Sequence, residues 1–230
     1  MELNETMRTA GAMRHFLADP VDDETLYRIL DAARFAPSGA NRQGWHVIVV
    51  RDPTLLHQLQ ELYLRTWRPL RQARGAQLPA DQSGHQPGSE AANDNAESLD
   101  QLPVHLVVLV ERRALVTPFP AINESSFAGG SSIYPFVQNL MLAIRAEGLG
   151  SSLTMLLNNE EPDVARLLDV PDDFALAAHL GVGWPANPHP TRLQRRPVEA
   201  FTTHDRFGGE ALMRGSTPQS PSTLIPVLTD

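Results

Sequence analysis

The spacing of apolar residues predicts an alternation of amphipathic helices and short buried strands. Apolar side chains recur at intervals of three and four over residues 22–36, which predicts a helix that ends at Pro37-Ser38-Gly39. The same spacing predicts a helix that opens at Pro53 and fades near Trp67, a regular helix beginning near Pro135, and a short helix over 163–168. Runs of apolar, often β-branched residues predict strands over 45–50, 104–110, 151–157 and 175–182. Helices and strands interleave without a strict βαβ rhythm, so an α+β domain with a sheet flanked by helices is expected.

One long segment breaks this pattern. Residues 68–102 contain no aromatic residue and no Val, Ile or Met, while Gln, Gly, Ser, Asp and Asn abound. The composition indicates a mobile surface insertion, because so few apolar side chains do not offset the entropy of ordering. A lid over a ligand pocket is the alternative, and the sequence leaves both open. We therefore expect a single domain over 1–207 with an insertion at 68–102, followed by a Ser/Thr/Pro-rich tail over 208–230.

Charge and composition narrow the classes of function. The chain has 19 basic and 27 acidic side chains, a formal net charge of −8, so nucleic acid is not an expected partner. A ligand that carries phosphate must instead meet a local cluster of arginines. Cysteine is absent, which excludes disulfides, thiolate nucleophiles and iron–sulfur clusters. No apolar run is long enough to predict a membrane span, and the N-terminus does not resemble a signal peptide, so a cytoplasmic protein is expected.

Several common sites are also not predicted. The histidines show no H-x-x-x-H pattern, so a metal site is not expected, and His179 is interpreted as a hydrogen-bonded core residue of a strand. No G-x-G-x-x-G lies between a strand and a helix, no P-loop is present, and no serine sits in a G-x-S-x-G elbow. These absences argue against a Rossmann nucleotide domain and a serine hydrolase.

Two sets of polar residues are candidates for binding. The segment APSGANRQGW at 36–45 joins a helix to a strand and offers a hydroxyl, two amides and a guanidinium, which can hydrogen-bond the edge of a flat heterocycle. A polar turn is the alternative interpretation. One phosphate could be bound by Arg14 near the N-terminus together with the pair Arg195-Arg196 near the C-terminus, since a guanidinium group can donate two parallel hydrogen bonds to phosphate oxygens. Solvated surface arginines are the alternative there.

Three blocks in order resemble the FMN-dependent nitroreductase family. The first is RHF at 14–16, DPV at 19–21 and APSGANRQGW at 36–45; the second is SIYPFVQNL at 132–140 through GLG at 148–150; the third is LGVGWP at 180–185 followed by RRP at 195–197. The resemblance spans about residues 8–207, whereas the insertion and the tail match nothing in the family.

The resemblance implies a fold, a cofactor and a set of contacts. The implied fold is α+β, with a central mixed, mainly antiparallel sheet flanked by helices, in an interlocked homodimer with two FMN sites at its interface. The phosphate would bind Arg14 and Arg195 or Arg196. Ser38, Asn41 and Gln43 would approach the flavin ring, in this family often that of the partner subunit. Leu153 and Thr154 would present backbone or hydroxyl groups to the ring edge near N5.

The chain departs from the family pattern at two positions. A phosphate-binding arginine is usual a few residues before Arg14, but Ala10-Gly11-Ala12 stands there, so one phosphate ligand of the family is missing unless Arg8 or Arg42 substitutes. The familiar Gln-Pro-Trp is Gln43-Gly44-Trp45, which removes a rigid residue and no hydrogen-bonding side chain.

The function implied is an FMN-dependent NAD(P)H oxidoreductase of the nitroreductase type. Hydride would pass from NADPH or NADH through flavin N5 to small oxidants such as nitroaromatics or quinones, with no side chain required as a catalytic nucleophile. One alternative is another flavin enzyme on the same scaffold, a reductive dehalogenase or an enzyme that cleaves its flavin. A non-catalytic binding or regulatory module that has lost productive FMN binding is the other.

Overall fold

The computed structural model describes residues 1–74, 90–115 and 127–215 of the chain. The helices within them are α1 (Leu3–Thr9), α2 (Asp23–Ala33), α3 (Pro53–Arg74), α4 (Glu90–Glu97), α5 (Tyr134–Ala146) and α6 (Glu161–Leu167). The strands are β1 (Trp45–Val50), β2 (Val104–Glu111), β3 (Gly150–Thr154) and β4 (Phe174–Gly183). The chain divides into two compact units, Met1–Leu193 and Gln194–Asp230, and all ten elements belong to the first.

The four strands form one antiparallel sheet in the order β1-β2-β4-β3. β2 lies inside the sheet and all of its residues from Val104 to Val110 are buried, which explains why its sequence is a nearly unbroken apolar run. A parallel bridge joins Ala12 to Ser151 at the outer edge of β3. The expected α+β class with a mainly antiparallel sheet flanked by helices is therefore confirmed.

Helices cover both faces of this sheet. On one face α2 and α5 pack together over β2 and β4, and the ring of Phe136 from α5 stacks on Trp45 of β1 with centroids 4.9 Å apart. On the other face α3 and α6 pack over the alternate residues of the same strands. Because side chains alternate between the faces of a strand, β2 contributes Leu106 and Val108 to the first core and Val107 and Leu109 to the second.

Several element boundaries differ from the predicted ones, and α2, for example, ends at Ala33 rather than at residue 36. The third strand ends at Thr154 rather than near residue 157, because the Thr154 hydroxyl accepts a hydrogen bond from the Leu156 N–H at 3.2 Å and turns the chain. Helix α3 continues to Arg74, past the predicted end near Trp67. Its apolar side extends with Leu70, which lies three residues after Trp67 and lines the same pocket.

The polar segment 68–102 is described in part. Its second half forms α4 and a 3₁₀ turn at Leu99–Gln101, and the side chains of Ala96, Leu99 and Leu102 are buried in this half. The Gln60 amide of α3 donates to the Glu97 carbonyl at 2.8 Å and so ties the segment to the preceding helix. Residues 75–89, on which a lid would depend, lie outside the described residues, as does the tail from residue 216.

No helix in the described parts of the chain is long and apolar enough to cross a membrane. The described part of the second unit, residues 194–215, holds a 3₁₀ turn at Val198–Ala200 and a bridge between Thr203 and Ala211.

Candidate functional site

A pocket of about 300 Å³ opens at the edge of the sheet formed by β3. It lies within the first unit, between the N-terminal segment, the end of β3, helix α3 and the segment around α4. Its walls are formed by Ala12, Arg14, Tyr63, Trp67, Leu70, Asn95, Leu99, Ser152, Leu153, Thr154, Met155 and Leu156. Three of the residues predicted for the cofactor site, Arg14, Leu153 and Thr154, are thus brought together over a sequence distance of about 140 residues.

Backbone pairing fixes Arg14 beside the strand. The Met13 N–H donates to the Ser151 carbonyl at 2.9 Å, and Ala12 bridges Ser151 in parallel fashion. Gly150 permits this close approach, since a Cβ at that residue would lie 2.8 Å from the Cβ of Met13. Arg14 is half-buried, and no carboxylate of the described residues lies within ion-pairing distance of it. A cation without a protein counter-ion at the mouth of a pocket is suited to an anionic ligand.

Helix α3 supplies an aromatic wall that sequence analysis missed. Tyr63 and Trp67 lie one turn apart with ring centroids 6.2 Å apart and only 6% and 9% exposed. Burial raises the pKa of Tyr63, although a hydrogen bond with the Thr154 side chain and the charge of Arg14 act in the opposite direction. The phenol is therefore protonated at neutral pH. In the sequence, the four-residue spacing of Tyr63 and Trp67 was the available sign that both side chains lie on one side of a helix. That spacing is equally typical of residues buried in a core.

A buried acceptor lies in the same wall. The Asn95 side chain of α4 is 7% exposed, and its Oδ1 has no hydrogen-bond partner among the described residues. A buried amide oxygen without a partner is costly, which makes this side of the pocket receptive to a ligand donor.

The loop at 38–43 does not contribute to the walls of this pocket. Ser38, Asn41 and Gln43 do not line this pocket, and their hydrogen bonds are local: the Gln43 N–H donates to Ser38 Oγ at 2.9 Å, and Gln43 Nε2 donates to Asn41 Oδ1 at 3.1 Å. Ala40, Asn41 and Gln43 have φ near +50°, in the left-handed region that residues other than glycine rarely adopt. Strain concentrated in one exposed loop is typical of binding segments.

The residue Ser132 anchors this loop from before the first turn of α5. Its hydroxyl is buried and accepts a hydrogen bond from the Gly39 N–H at 3.0 Å. We expect Ser132→Ala to lower the free energy of unfolding by about 1 kcal/mol, because one part-buried hydrogen bond is lost. Urea denaturation checks this, with Ser131→Ala at the exposed neighbour as the matched control. Equal effects of the two changes would contradict the anchoring role.

The chain is closely packed around Gly44 and Gly11, which lie in the two segments that depart from the family pattern. A Cβ at Gly44 would lie 2.2 Å from the Cβ of Ala114, so a larger residue does not fit here without a shift of that backbone. A Cβ at Gly11 would lie 3.1 Å from both Pro190 Cγ and Leu193 Cδ2, so a long side chain is crowded there too. Neither Arg8 nor Arg42 lines the pocket, so the question of which residue replaces the missing arginine stays open.

The other predicted phosphate ligands belong to the second unit. Arg195 and Arg196 are exposed, and their side chains donate to the carbonyls of Gln194 and Ala200 at 2.7 and 3.3 Å. Both guanidinium groups keep further N–H donors for a ligand. Their binding of phosphate stays a prediction.

Two histidines form a buried pair behind the pocket wall. His105 Nε2 lies 2.8 Å from the Leu99 carbonyl, and His179 Nε2 lies 3.0 Å from His105 Nδ1. Since the carbonyl only accepts, Nε2 carries the proton on His105, so its Nδ1 accepts from His179 Nε2. His179 is thus a core residue with one hydrogen bond, while its Nδ1 has no partner among the described residues. Burial lowers the pKa of His105 to about 4 and that of His179 well below its usual value. No group of potential metal ligands occurs in the described residues.

The chain resembles known proteins over most of its length. The sequence model of the Nitroreductase family matches residues 8–184. A 5,6-dimethylbenzimidazole synthase of Rhodospirillum rubrum is 30% identical over 77% of this chain and 79% of its own length. An NADH dehydrogenase of Thermus thermophilus is 32% identical over 76% of this chain and 82% of its own. The structure of an iodotyrosine deiodinase bound to FMN and 3-iodo-L-tyrosine superposes with a TM-score of 0.67 at 22% identity, covering 88% of this chain and all of that one.

Proposed function

The chain belongs to the nitroreductase family, an oxidoreductase family, and from this premise we propose that it is an FMN-dependent NAD(P)H oxidoreductase that reduces small flat oxidants such as nitroaromatics or quinones. The observation that carries the proposal is the pocket at the edge of β3, which joins an arginine that has no carboxylate partner among the described residues to a threonine hydroxyl and an aromatic wall. The NADH dehydrogenase relative supports a nicotinamide donor.

The residues of the pocket fit the chemistry of FMN. Arg14 offers the charge and the paired N–H donors that a phosphate requires in a chain of net charge −8. Leu153 is 38% exposed and gives an apolar surface on which a ring can lie. Thr154 offers a hydroxyl, and the buried Oδ1 of Asn95 is an acceptor in need of a donor. When bound, FMN supplies a ring that takes hydride from NAD(P)H and gives it to the oxidant.

The predicted cofactor contacts fall into two groups, one inside the pocket and one outside it, and this grouping favours a homodimer. Arg14, Leu153 and Thr154 line the pocket, whereas Ser38, Asn41 and Gln43 of the same chain do not. All three loop side chains carry hydrogen-bonding groups, and Asn41 and Gln43 are exposed with φ near +50°. We propose that they complete the pocket of a second copy, so each site takes residues from two chains.

The visible spectrum of the purified protein tests the proposed function. We expect the protein to bind FMN, the flavin bands to bleach with NADH or NADPH in the absence of oxygen, and the bands to return with a nitroaromatic or a quinone. A protein that takes up no FMN would contradict the proposal and would favour the non-catalytic alternative.

A second candidate function is favoured by the relative named for synthesis of 5,6-dimethylbenzimidazole. The chain would then belong to the flavin enzymes that consume their own ring. Incubation with FMN, a reduced nicotinamide and oxygen, followed by chromatography for 5,6-dimethylbenzimidazole, tests this. Appearance of that product without turnover of nitro or quinone compounds would replace the reductase by the synthase.

A further inference from the structure

The side chain of Asn95 leaves one acceptor of the pocket wall without a donor. The residue lines the pocket and is only 7% exposed, and its Oδ1 has no hydrogen-bond partner among the described residues. Burying an amide oxygen in this way is unfavourable, because the oxygen gives up its hydrogen bonds to water and gains none in return. Such an atom in the wall of a pocket is therefore a candidate contact for a ligand.

The segment that carries this asparagine is held in place by its neighbours. The Gln60 amide of α3 donates to the Glu97 carbonyl at 2.8 Å and to Asp100 Oδ1 at 3.0 Å. From β2, His105 Nε2 donates to the Leu99 carbonyl at 2.8 Å. These contacts fix the backbone just after the asparagine, so a shift of α4 that carried the oxygen into water would break them. The acceptor thus keeps its place before any ligand binds.

Either ligand of the pocket, the cofactor or the oxidant, could supply the missing donor. The expected cofactor contacts Arg14, Leu153 and Thr154 belong to the N-terminal segment and to β3. Asn95 belongs instead to α4, which packs against α3, and α3 adds the apolar side chain of Leu70 to the same pocket. This grouping assigns the β3 side of the pocket to the cofactor and leaves the side formed by α3 and α4 to an aromatic oxidant.

The charge of the pocket limits which donor is suitable. The amide of Asn95 is neutral, and Arg14 gives the same pocket a positive charge. Like charges repel, most strongly where water is excluded, so an ammonium group on the ligand is disfavoured. A neutral hydroxyl or amino group donates to an amide oxygen without this repulsion.

We infer that Asn95 determines substrate specificity: its side-chain oxygen accepts a hydrogen bond from a neutral hydroxyl or amino group on the aromatic oxidant. The inference rests on the proposed function, and it narrows the substrates to nitroaromatics or quinones that carry such a donor in addition to the group to be reduced. A substrate without the donor leaves the oxygen unsatisfied and so binds more weakly.

Binding of matched ligands to the FMN-loaded protein tests this. The three isomers of nitrobenzyl alcohol each carry one hydroxyl donor, and their methyl ethers keep the oxygen but lack the donor. Without a nicotinamide nothing is reduced, so the change in the flavin absorption bands on titration gives dissociation constants. We expect the unaltered chain to bind at least one alcohol about tenfold more tightly than its ether, the equivalent of one hydrogen bond to a buried acceptor.

A substitution of the asparagine should remove this preference. Asn95→Leu should bind the alcohol and the ether equally, because leucine has a similar shape and no acceptor, and its FMN dissociation constant should equal that of the unaltered chain. Asn159→Leu, at an exposed residue that does not line the pocket, is the matched control and should keep the preference.

Three results would each overturn the inference alone. The first, which needs no variant, is equal binding of every alcohol and its ether by the unaltered chain. The second is a preference that persists in Asn95→Leu, since it would then come from the bulk of the methyl group. The third is weaker FMN binding by that variant, which would assign the oxygen to the cofactor. If the unaltered chain binds no FMN, the proposed function fails and the inference with it.

Discussion

Acidification from pH 7 to pH 5 is expected to lower the free energy of unfolding by about 2 kcal/mol through His105 alone. The histidine has a pKa of about 4 in the folded chain, where burial opposes its charged form, against 6.5 for an unperturbed histidine. Between these values the unfolded chain binds more protons than the folded chain. Stability is therefore fully present above pH 6.5 and is lost as the pH falls.

The second histidine of the pair acts in the same direction. The pKa of His179 is also lowered by burial, and a charge on His105 disfavours a charge on its neighbour 3.0 Å away. The two histidines together should make the free energy of unfolding fall more steeply with decreasing pH than one histidine alone would. Most carboxylates remain ionised down to pH 5, so this window separates the pair from general acid denaturation.

Urea denaturation at half-unit steps between pH 7 and pH 5 measures the effect. His179→Gln should flatten the dependence of the unfolding free energy on pH, whereas His204→Gln, at an exposed residue of the second unit, serves as the matched control. If the slope of the His179 variant equals that of the unaltered chain, His179 does not contribute to it, and His105→Gln then tests whether His105 alone is its source.

Replacing Arg14 by glutamine is expected to weaken FMN binding by roughly ten- to a hundredfold. Hydrogen bonds between charged partners contribute about 1.5–3 kcal/mol, and Arg14 has no carboxylate partner among the described residues to share its charge. The lost affinity should come only from the contact of Arg14 with the FMN phosphate. Riboflavin, which has the same ring without phosphate, should bind the variant and the unaltered chain equally.

Fluorescence titration with FMN and riboflavin checks both statements. Arg166→Gln is the matched control, because the Arg166 side chain is 76% exposed and, within the described part of the chain, pairs only with Asp163 on the same helix. A parallel loss of riboflavin affinity in the Arg14 variant would mean that the residue shapes the ring pocket rather than binding phosphate. If the Arg14 variant loses affinity for neither FMN nor riboflavin, the phosphate binds instead to the other predicted arginines.

Local patterns predicted the elements well where one periodicity dominated. The β-branched run at Trp45–Val50 and the apolar run after Val104 are strands, and Pro135 lies in the first turn of a helix. Prediction was poorer where a boundary depends on a side chain: the strand ends at Thr154 because of one hydroxyl. Composition also did not reveal that Leu70, Leu99 and Leu102, in the described parts of the polar segment, pack onto the rest of the fold.

The sequence by itself determined the class of fold and the family, because these follow from periodicity and from motifs that are local in the chain. Arg14, Leu153 and Thr154 were candidate cofactor contacts through the family resemblance alone. Only the tertiary structure decided which residues share a pocket. It placed Tyr63, Trp67 and Asn95 beside Thr154, left Ser38, Asn41 and Gln43 outside, and joined His105 to His179 within the core. The reason is physical: these contacts depend on how α3 and α4 pack against the sheet, and apolar spacing shows which side of a helix is buried but not which residues lie opposite it.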